Sequence, residues 1–466
     1  MKFDRTGDLA ASVARFVCSA VAPDAATLDR AKIVISDTLA ATVAGSTSDV
    51  VVPLHAYVNE QSTAQGDKII LGSMRRTSSE LSALVNATMA AALEFDDVMS
   101  LMPAHPSAVV MAALMATDAA LNAPGQAVIK AYAVGVEAGV RIAQAMTLDH
   151  YKRGFHATGT LTLFSAVCAI GRIRQLPENE FRRALGIAGS MASGLQGNFG
   201  TMTKPLHSGW AARNAIAAVE LARFGLTASE QIFEAEGGFF SAYGSDASNA
   251  ERIPVDFGKP WAFDEPGITL KLFPCCYASH RGMDALIKLM HRMGIDRHQV
   301  KAIRCKAPLG GLIPLKFSAP KTQFESLFSL PYALAVTALD GMPGLKSFDL
   351  QRVQSTDVAE MLKRITVVES IESVADYPGY EAQSYGSRGE VRVELEALDG
   401  RIDTERVRIA PGHPERPMSW EQAEQKFIGC LAAAEFASDV APKLFPLIRH
   451  LETVPVFRTV VDQLSH

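Results

Sequence analysis

Residues 186–214 read GIAGSMASGLQGNFGTMTKPLHSGWAARN. The first part is built from small residues (Gly186, Ala188, Gly189, Ser190, Ala192, Ser193), which let a second backbone come close. Gly194, Gly197 and Gly200 then open a loop, and HSGWAARNAIAAVELARFG begins a second helix. The spacing G-x-x-G-x-x-G has no strand before it, so it supports neither a dinucleotide fingerprint nor a P-loop. The stretch is helix, glycine loop, helix. Lys204 and His207 stand three residues apart at the mouth of the second helix, whose free N–H groups favour anions. That makes a carboxylate-binding corner; the alternative is a tightly packed helix pair with a snorkelling lysine.

Helical patterning extends outward from this point over residues 6 to about 235. Asp29–Gly45 ends on a glycine suited to a C-cap, and Thr77–Leu93 follows. Pro106–Leu121, Pro124–Met146 and Gly159–Ile173 continue the pattern, and Pro177 starts the helix that leads into the opening stretch. Such Ala- and Gly-dense helices indicate a large bundle with close helix contacts. The character changes near Pro254. Ile268–Phe273, Val300–Ala307 and Arg364–Glu369 read as strands, and Glu390–Ala397 and Ile402–Ile409 flank the hairpin dipeptide Asp399-Gly400. A helix at Arg281–Gly294 and another near Pro331 lie between them. At Ser419 and Gln422 a capping box returns the chain to helix, which is expected to pack back on the first part. The expected fold is mainly α with a second α+β domain: a helical domain from 1–265 and 411–466, and a smaller α+β lid from 266–410.

Composition narrows the function classes. The 466 residues are 48% hydrophobic and 20% charged, ordinary for a globular protein with a sizeable core. A net charge of −5, with no long basic run, argues against a general nucleic-acid partner. The most apolar stretch, SAVVMAALMATDAALN, is interrupted by Asp118 before it reaches membrane-spanning length, so no membrane partner is expected. The start, MKFDRTGDLAASVARFVCSAVA, is too charged for a secretory signal. Six scattered cysteines without C-x-x-C fit reduced thiols, and a soluble cytoplasmic protein is expected.

Four polar clusters interrupt the apolar helical sequence. They are Glu94-Phe-Asp-Asp97 with His105-Pro106; Gly154-Phe-His156-Ala-Thr158; Lys204 with His207; and Lys271-Leu-Phe-Pro-Cys-Cys276 with His280. Carboxylates and imidazoles at helix starts suit general acid–base chemistry, and the competing reading for each is capping or a satisfied core histidine. No H-E-x-x-H or C-x-x-C spacing supports a metal site, so neither metal nor cofactor is expected.

In this order the clusters resemble the MmgE/PrpD family, which includes dehydratases, decarboxylases and epimerases of di- and tricarboxylates. The residues that carry the likeness are EFDDVMSLMPAHPSAVV, GFHATGTLTLFSAV, the opening stretch, EGGFF and KLFPCCYASHRGMDA, and the general layout continues through FSLPYALAVTALDG. The resemblance implies a large helical domain, a smaller lid, a homodimer, and metal-independent chemistry on a di- or tricarboxylate in the cleft between the domains. Matched to the family's cis-aconitate decarboxylases position by position, it implies His105, His156, Lys204 and Lys271 as site residues. Glu94 stands where those enzymes have an aspartate, with one extra residue before His105, and Cys276 stands where they have a histidine.

The chemical problem so posed is proton transfer at a carbon next to a carboxylate, where developing enolate-like charge must be stabilised. Lys204 and Lys271 are the expected clamps, His105 and His156 the expected acid–base groups. Glu94 and Cys276 complete the expected catalytic set, with Asp97, His207 and His280 expected against the substrate. A hydro-lyase of the 2-methylcitrate dehydratase kind needs the fewest further assumptions. An epimerase of the iminodisuccinate kind comes next, then a decarboxylase, and a carboxylate-binding protein without catalysis is the non-enzyme alternative.

Overall fold

The computed structural model describes residues 9–19, 21–61, 66–99, 101–248 and 257–465, and the expected change of character near Pro254 lies outside them. The bulk is helical. Helices Ala25–Gly45, Ser79–Ala92, Pro106–Met115, Gly125–Met146, Thr162–Arg174 and Thr203–Arg223 pack around one another, most of them buried along nearly their whole length. Their small residues set the spacing. A Cβ on Gly209 would stand 2.2 Å from Thr88 Oγ1 and 2.5 Å from the Leu84 carbonyl, so the Thr203–Arg223 and Ser79–Ala92 backbones meet there. Among the described residues, no helix is long and apolar enough to cross a membrane.

Several helix limits differ from the sequence reading. Gly45 is not a left-handed cap: the helix runs through it into Ser46 at φ −62°, and a Cβ there would stand 2.0 Å from the Met89 carbonyl. Its smallness serves helix contact instead. Pro106–Leu121 divides into Pro106–Met115 and Asp118–Leu121, and Gly159–Ile173 into Ala157–Thr160 and Thr162–Arg174. The second helix of the opening stretch begins at Thr203, so Lys204 and His207 lie within its first turns rather than before it.

The smaller region is built on a four-stranded sheet, in the order Ile365–Ser370, Val300–Pro308, Val391–Ala397, Ile402–Val407. The first pair is parallel, its crossover running through the Leu330–Asp340 and Thr356–Leu362 helices, and the other pairs are antiparallel. Val391, Val393 and Leu395 alternate into the core, against helix His280–Met293. The strand expected at Ile268–Phe273 shrinks to Ile268–Thr269 and joins Val98–Met99 instead of the sheet. Beyond it the Leu270 N–H donates to the Gly412 carbonyl, and Pro274 has no N–H to offer a ladder. That short pair ties the second region to the acidic turn of the first.

The tail behaves as its capping box implies. Ser419 accepts from the Gln422 N–H at 3.2 Å, and Gln422 accepts from the Ser419 N–H at 3.0 Å. Helix Trp420–Ala433 packs on Ala25–Gly45, and Lys426 pairs with buried Asp37 at 2.6 Å.

Candidate active site

The acidic turn after helix Ser79–Ala92 is the centre of the site. Glu94 sits in the left-handed region at φ +49°, a conformation costly for a non-glycine residue and concentrated at functional sites. Beyond it the chain bends again at Asp96 before strand Val98–Met99, so that Glu94 and Asp96 both meet Lys271 while the Asp97 side chain meets Ser107. Glu94 is held between two ammonium groups: one oxygen accepts from Lys204, the other from Lys271 at 3.2 Å. Lys271 also reaches Asp96 at 3.3 Å. Burial alone would raise the Glu94 pKa, but the charges of Lys204 and Lys271 outweigh it and hold the carboxyl well below its usual range. The same pairs keep Lys271 charged against its own burial.

The Lys271 segment and the acidic turn are fixed from behind by helix Trp420–Ala433. Lys426 donates to the Phe95 carbonyl at 2.7 Å and the Lys271 carbonyl at 2.9 Å, its ammonium 3.7 Å from the centre of the Phe95 ring.

His105 caps the start of helix Pro106–Met115. Its Nδ1 lies 2.6 Å from the Asp97 carbonyl, which can only accept, so Nδ1 carries the proton and Nε2 is bare. That Nε2 lies 3.5 Å from the Lys204 ammonium. Burial, with Lys204 and Lys271 opposing Asp96, lowers the His105 pKa to about 4, so the ring is neutral near pH 7. His156, at the start of Ala157–Thr160, places Nδ1 2.9 Å from Nδ1 of His207, and burial with nearby Lys204 lowers its pKa well below the ordinary value. Its Nε2 is buried and meets no partner in the protein. The His105 and His156 rings stand edge to face, 6.3 Å between centres.

These groups open on one cleft. Glu94, His105, His156 and Lys204 line one wall, and Cys276, Tyr277, Phe328, Ser384 and Tyr385 the other. The wall from the second region is latched on the glycine loop: Lys316 donates to the Gln196 carbonyl at 2.7 Å, and Phe199 stacks on Phe328 at 5.5 Å.

Both halves of the chain match family models, the MmgE/PrpD N-terminal domain over residues 9–252 and the MmgE/PrpD C-terminal domain over 273–440. The chain belongs to the MmgE/PrpD family. It is similar to a cis-aconitate decarboxylase of Homo sapiens, 28% identical over 442 residues that cover 91% of this chain and 87% of that protein. A cis-aconitate decarboxylase of Aspergillus terreus is 27% identical over 428 residues, 86% of this chain and 84% of that one.

Within this family member the expected residues separate into two sets. Glu94, His105, His156, Lys204 and Cys276 reach the cleft. Lys271 lies fully buried behind Glu94. Asp97, His207 and His280, expected against substrate, are buried outside the cleft lining. Asp97 accepts from the Ser107 hydroxyl at 2.5 Å, and burial, with Asp96 and Asp37 nearby, raises its pKa to about 8. His280 donates from Nε2 to the Cys275 carbonyl at 3.3 Å, and burial with Lys271 lowers its pKa to about 3. All three are held behind the wall by contacts with the protein itself: Asp97 with Ser107, His207 with His156, and His280 with the Cys275 carbonyl.

Asp96 joins the Lys271–Glu94 cluster behind the cleft, and no local sequence signal separates it from Asp97. Tyr151, Ser384 and Tyr385 carry no local motif, and only the fold brings them to the cleft. Cys276 is half-buried on the wall, and burial, with Glu94 nearby, pushes its thiol up to about 11. It is therefore protonated near neutral pH. Among the described residues, no group of three or more His, Cys, Asp or Glu side chains is arranged to hold a metal ion.

Proposed function

We propose that this cleft binds a di- or tricarboxylate and removes a proton from a carbon beside one of its carboxylates, with loss of a neighbouring hydroxyl as water. The protein is on this reading a metal-independent hydro-lyase. The observation that carries it is the pair of neutral imidazoles, His105 and His156, facing one cleft beside the Lys204 ammonium. A neutral buried imidazole with a bare nitrogen is a base, and a fixed ammonium stabilises the charge that forms when the proton leaves. His156 takes the proton. Lys204 faces the developing enolate, and its ammonium gives a proton to the departing hydroxyl, with the bare His105 Nε2 3.5 Å away. Glu94 and Lys271 hold Lys204 in place, and the aromatic wall of Phe199, Phe328 and Tyr385 excludes water.

Two other outcomes use the same carbanion. Epimerisation would use the second imidazole, His105, to return the proton to the other face of the carbon. Decarboxylation is favoured by the names of the relatives. Against it stands Cys276, a protonated thiol at the place where the sequence likeness puts a histidine in those enzymes.

The deciding experiment is incubation in D2O with a panel of citrate, methylcitrate, aconitate, tartrate and aspartate-derived acids, followed by proton NMR and ultraviolet absorbance. A conjugated alkene appearing from a hydroxy acid supports the hydro-lyase. Deuterium at the α-carbon without net change replaces it with the epimerase, and release of CO2 from aconitate with the decarboxylase. No exchange with any acid, although one binds, leaves a carboxylate-binding protein.

A further inference from the structure

His207 is the one imidazole of the polar clusters whose ring contacts another site histidine from behind the cleft wall. Its Nδ1 lies 2.9 Å from Nδ1 of His156, and the glycine loop packs against both rings. The His156 N–H donates to the Gly194 carbonyl at 2.9 Å. Gly194 has φ +142°, and a Cβ there would press at 3.3 Å on the His207 ring and 3.4 Å on His156. A Cβ on Gly159 would stand 2.1 Å from the Ser193 carbonyl and 3.3 Å from His207 Cβ. The small residues of the opening stretch thus leave room for two imidazoles tilted against each other, 5.1 Å between centres.

Between two Nδ1 atoms one proton is shared, and its position decides what His156 can do. If His207 donates, His156 carries its proton on Nε2, pointing an N–H into the cleft with nothing to receive it. If His156 donates, its Nε2 is a bare lone pair. Orphaned buried donors are rarer than under-satisfied acceptors, and His156 Nε2 meets no partner in the protein. Only the second arrangement lets Nε2 accept a proton. The imidazolium formed then keeps its Nδ1–H bond to His207 unchanged.

We propose that His207 is a positioning residue that accepts a hydrogen bond from His156 Nδ1–H and so fixes His156 in the tautomer whose Nε2 is the base in the cleft. This rests on the reading of His156 as a base. A neutral imidazole here does the orienting work more often given to a carboxylate. The charged and titratable groups that face His156 are Lys204, His207 and His105. A carboxylate in place of His207 would pair with Lys204, whereas an imidazole orients His156 and leaves that ammonium to Glu94.

The test begins without substrate. In protein labelled with 15N-histidine, His156 is assigned by the signal lost in His156→Asn, and its ring correlations report the tautomer. A proton on Nδ1 is the expected result, and a proton on Nε2 overturns the proposal whatever the substrate proves to be. In His207→Leu, whose folding is checked by thermal unfolding, His156 should populate both tautomers. His207→Asn, which keeps an acceptor near the Nδ1 position, should restore Nδ1–H. With a substrate in hand, His207→Leu should lower kcat by about 10²-fold or more at little change in KM. The basic plateau of its pH profile should fall while His207→Asn recovers most of it. A His207→Leu enzyme with the wild-type tautomer, or with wild-type kcat, overturns the role assigned here. Failure to find any substrate leaves the tautomer measurement standing, and so separates this inference from the reaction.

Discussion

The His105 Nδ1–H donates to the Asp97 carbonyl at 2.6 Å, and that one bond turns Nε2 toward the Lys204 ammonium 3.5 Å away. The carbonyl can only accept, so the tautomer is fixed by backbone, and the side chain of Asp97 is left free for Ser107.

Lys204→Ala should lower kcat by about 10²-fold or more, since one donor aimed at developing charge is typically worth ~2.7–4 kcal/mol. The thermal unfolding midpoint should fall less than on loss of Lys271, because Glu94 retains Lys271 as a partner and Asp96 is untouched. A stable, fully active Lys204→Ala enzyme removes Lys204 from the chemistry.

Lys271→Met should behave differently. Its ammonium lies wholly inside the protein between Glu94 and Asp96, and removing it leaves two buried carboxylates short of a counter-charge. Breaking a buried pair costs about 3–5 kcal/mol, so stability and turnover should fall together. Loss of turnover at unchanged stability would place Lys271 against substrate after all, as the sequence suggested.

Lys426→Met should destabilise by a similar amount, leaving Asp37 buried and unpaired. The double variant with Asp37→Asn should recover much of that loss, because the remaining group is neutral. Circular dichroism melts of the two variants decide it, and equal loss in single and double variants would show that Lys426 acts through its carbonyl contacts instead.

Asp97 gives the pH prediction. Its folded pKa of about 8 lies above its ordinary value of 3.8, so across that window the folded chain holds a proton that the unfolded chain has released. Its contribution to stability is full below pH 3.8 and is lost as pH rises through about 8. Unfolding midpoints of wild type should therefore decline relative to Asp97→Asn between pH 5 and 8 and run parallel above that. A constant difference from pH 5 to 9 would mean that Asp97 is ionised throughout.

Dialysis against a chelator should leave activity unchanged, since Lys204 supplies the positive charge the reaction needs. Activity lost on dialysis and restored by a divalent cation would reassign that charge to a metal.

Much of this architecture was legible in order along the chain. Ser419 and Gln422 cap each other locally, Asp399-Gly400 turns a hairpin, and alternation at Val391, Val393 and Leu395 marks a buried face. Each of these depends on residues a few positions apart. The roles of small residues were less legible. Gly45 read as a cap because glycine favours left-handed turns, but its partner is the Met89 carbonyl, far away in sequence.

The same division runs through the site. The sequence determined that carboxylates, two imidazoles and two lysines interrupt apolar helices at helix starts, because polar groups in such stretches must be satisfied or used. It determined the family as well. Only the tertiary structure decided which of those groups face the cleft. Asp96 and Asp97 are neighbours of one type, yet the bends of the acidic turn send one to Lys271 and the other to Ser107. His156 and His207 lie 51 residues apart, and their shared proton exists only because the glycine loop brings the rings within 2.9 Å. A side chain's chemistry is written in its type, but its protonation, tautomer and access depend on burial and on partners that distant segments supply.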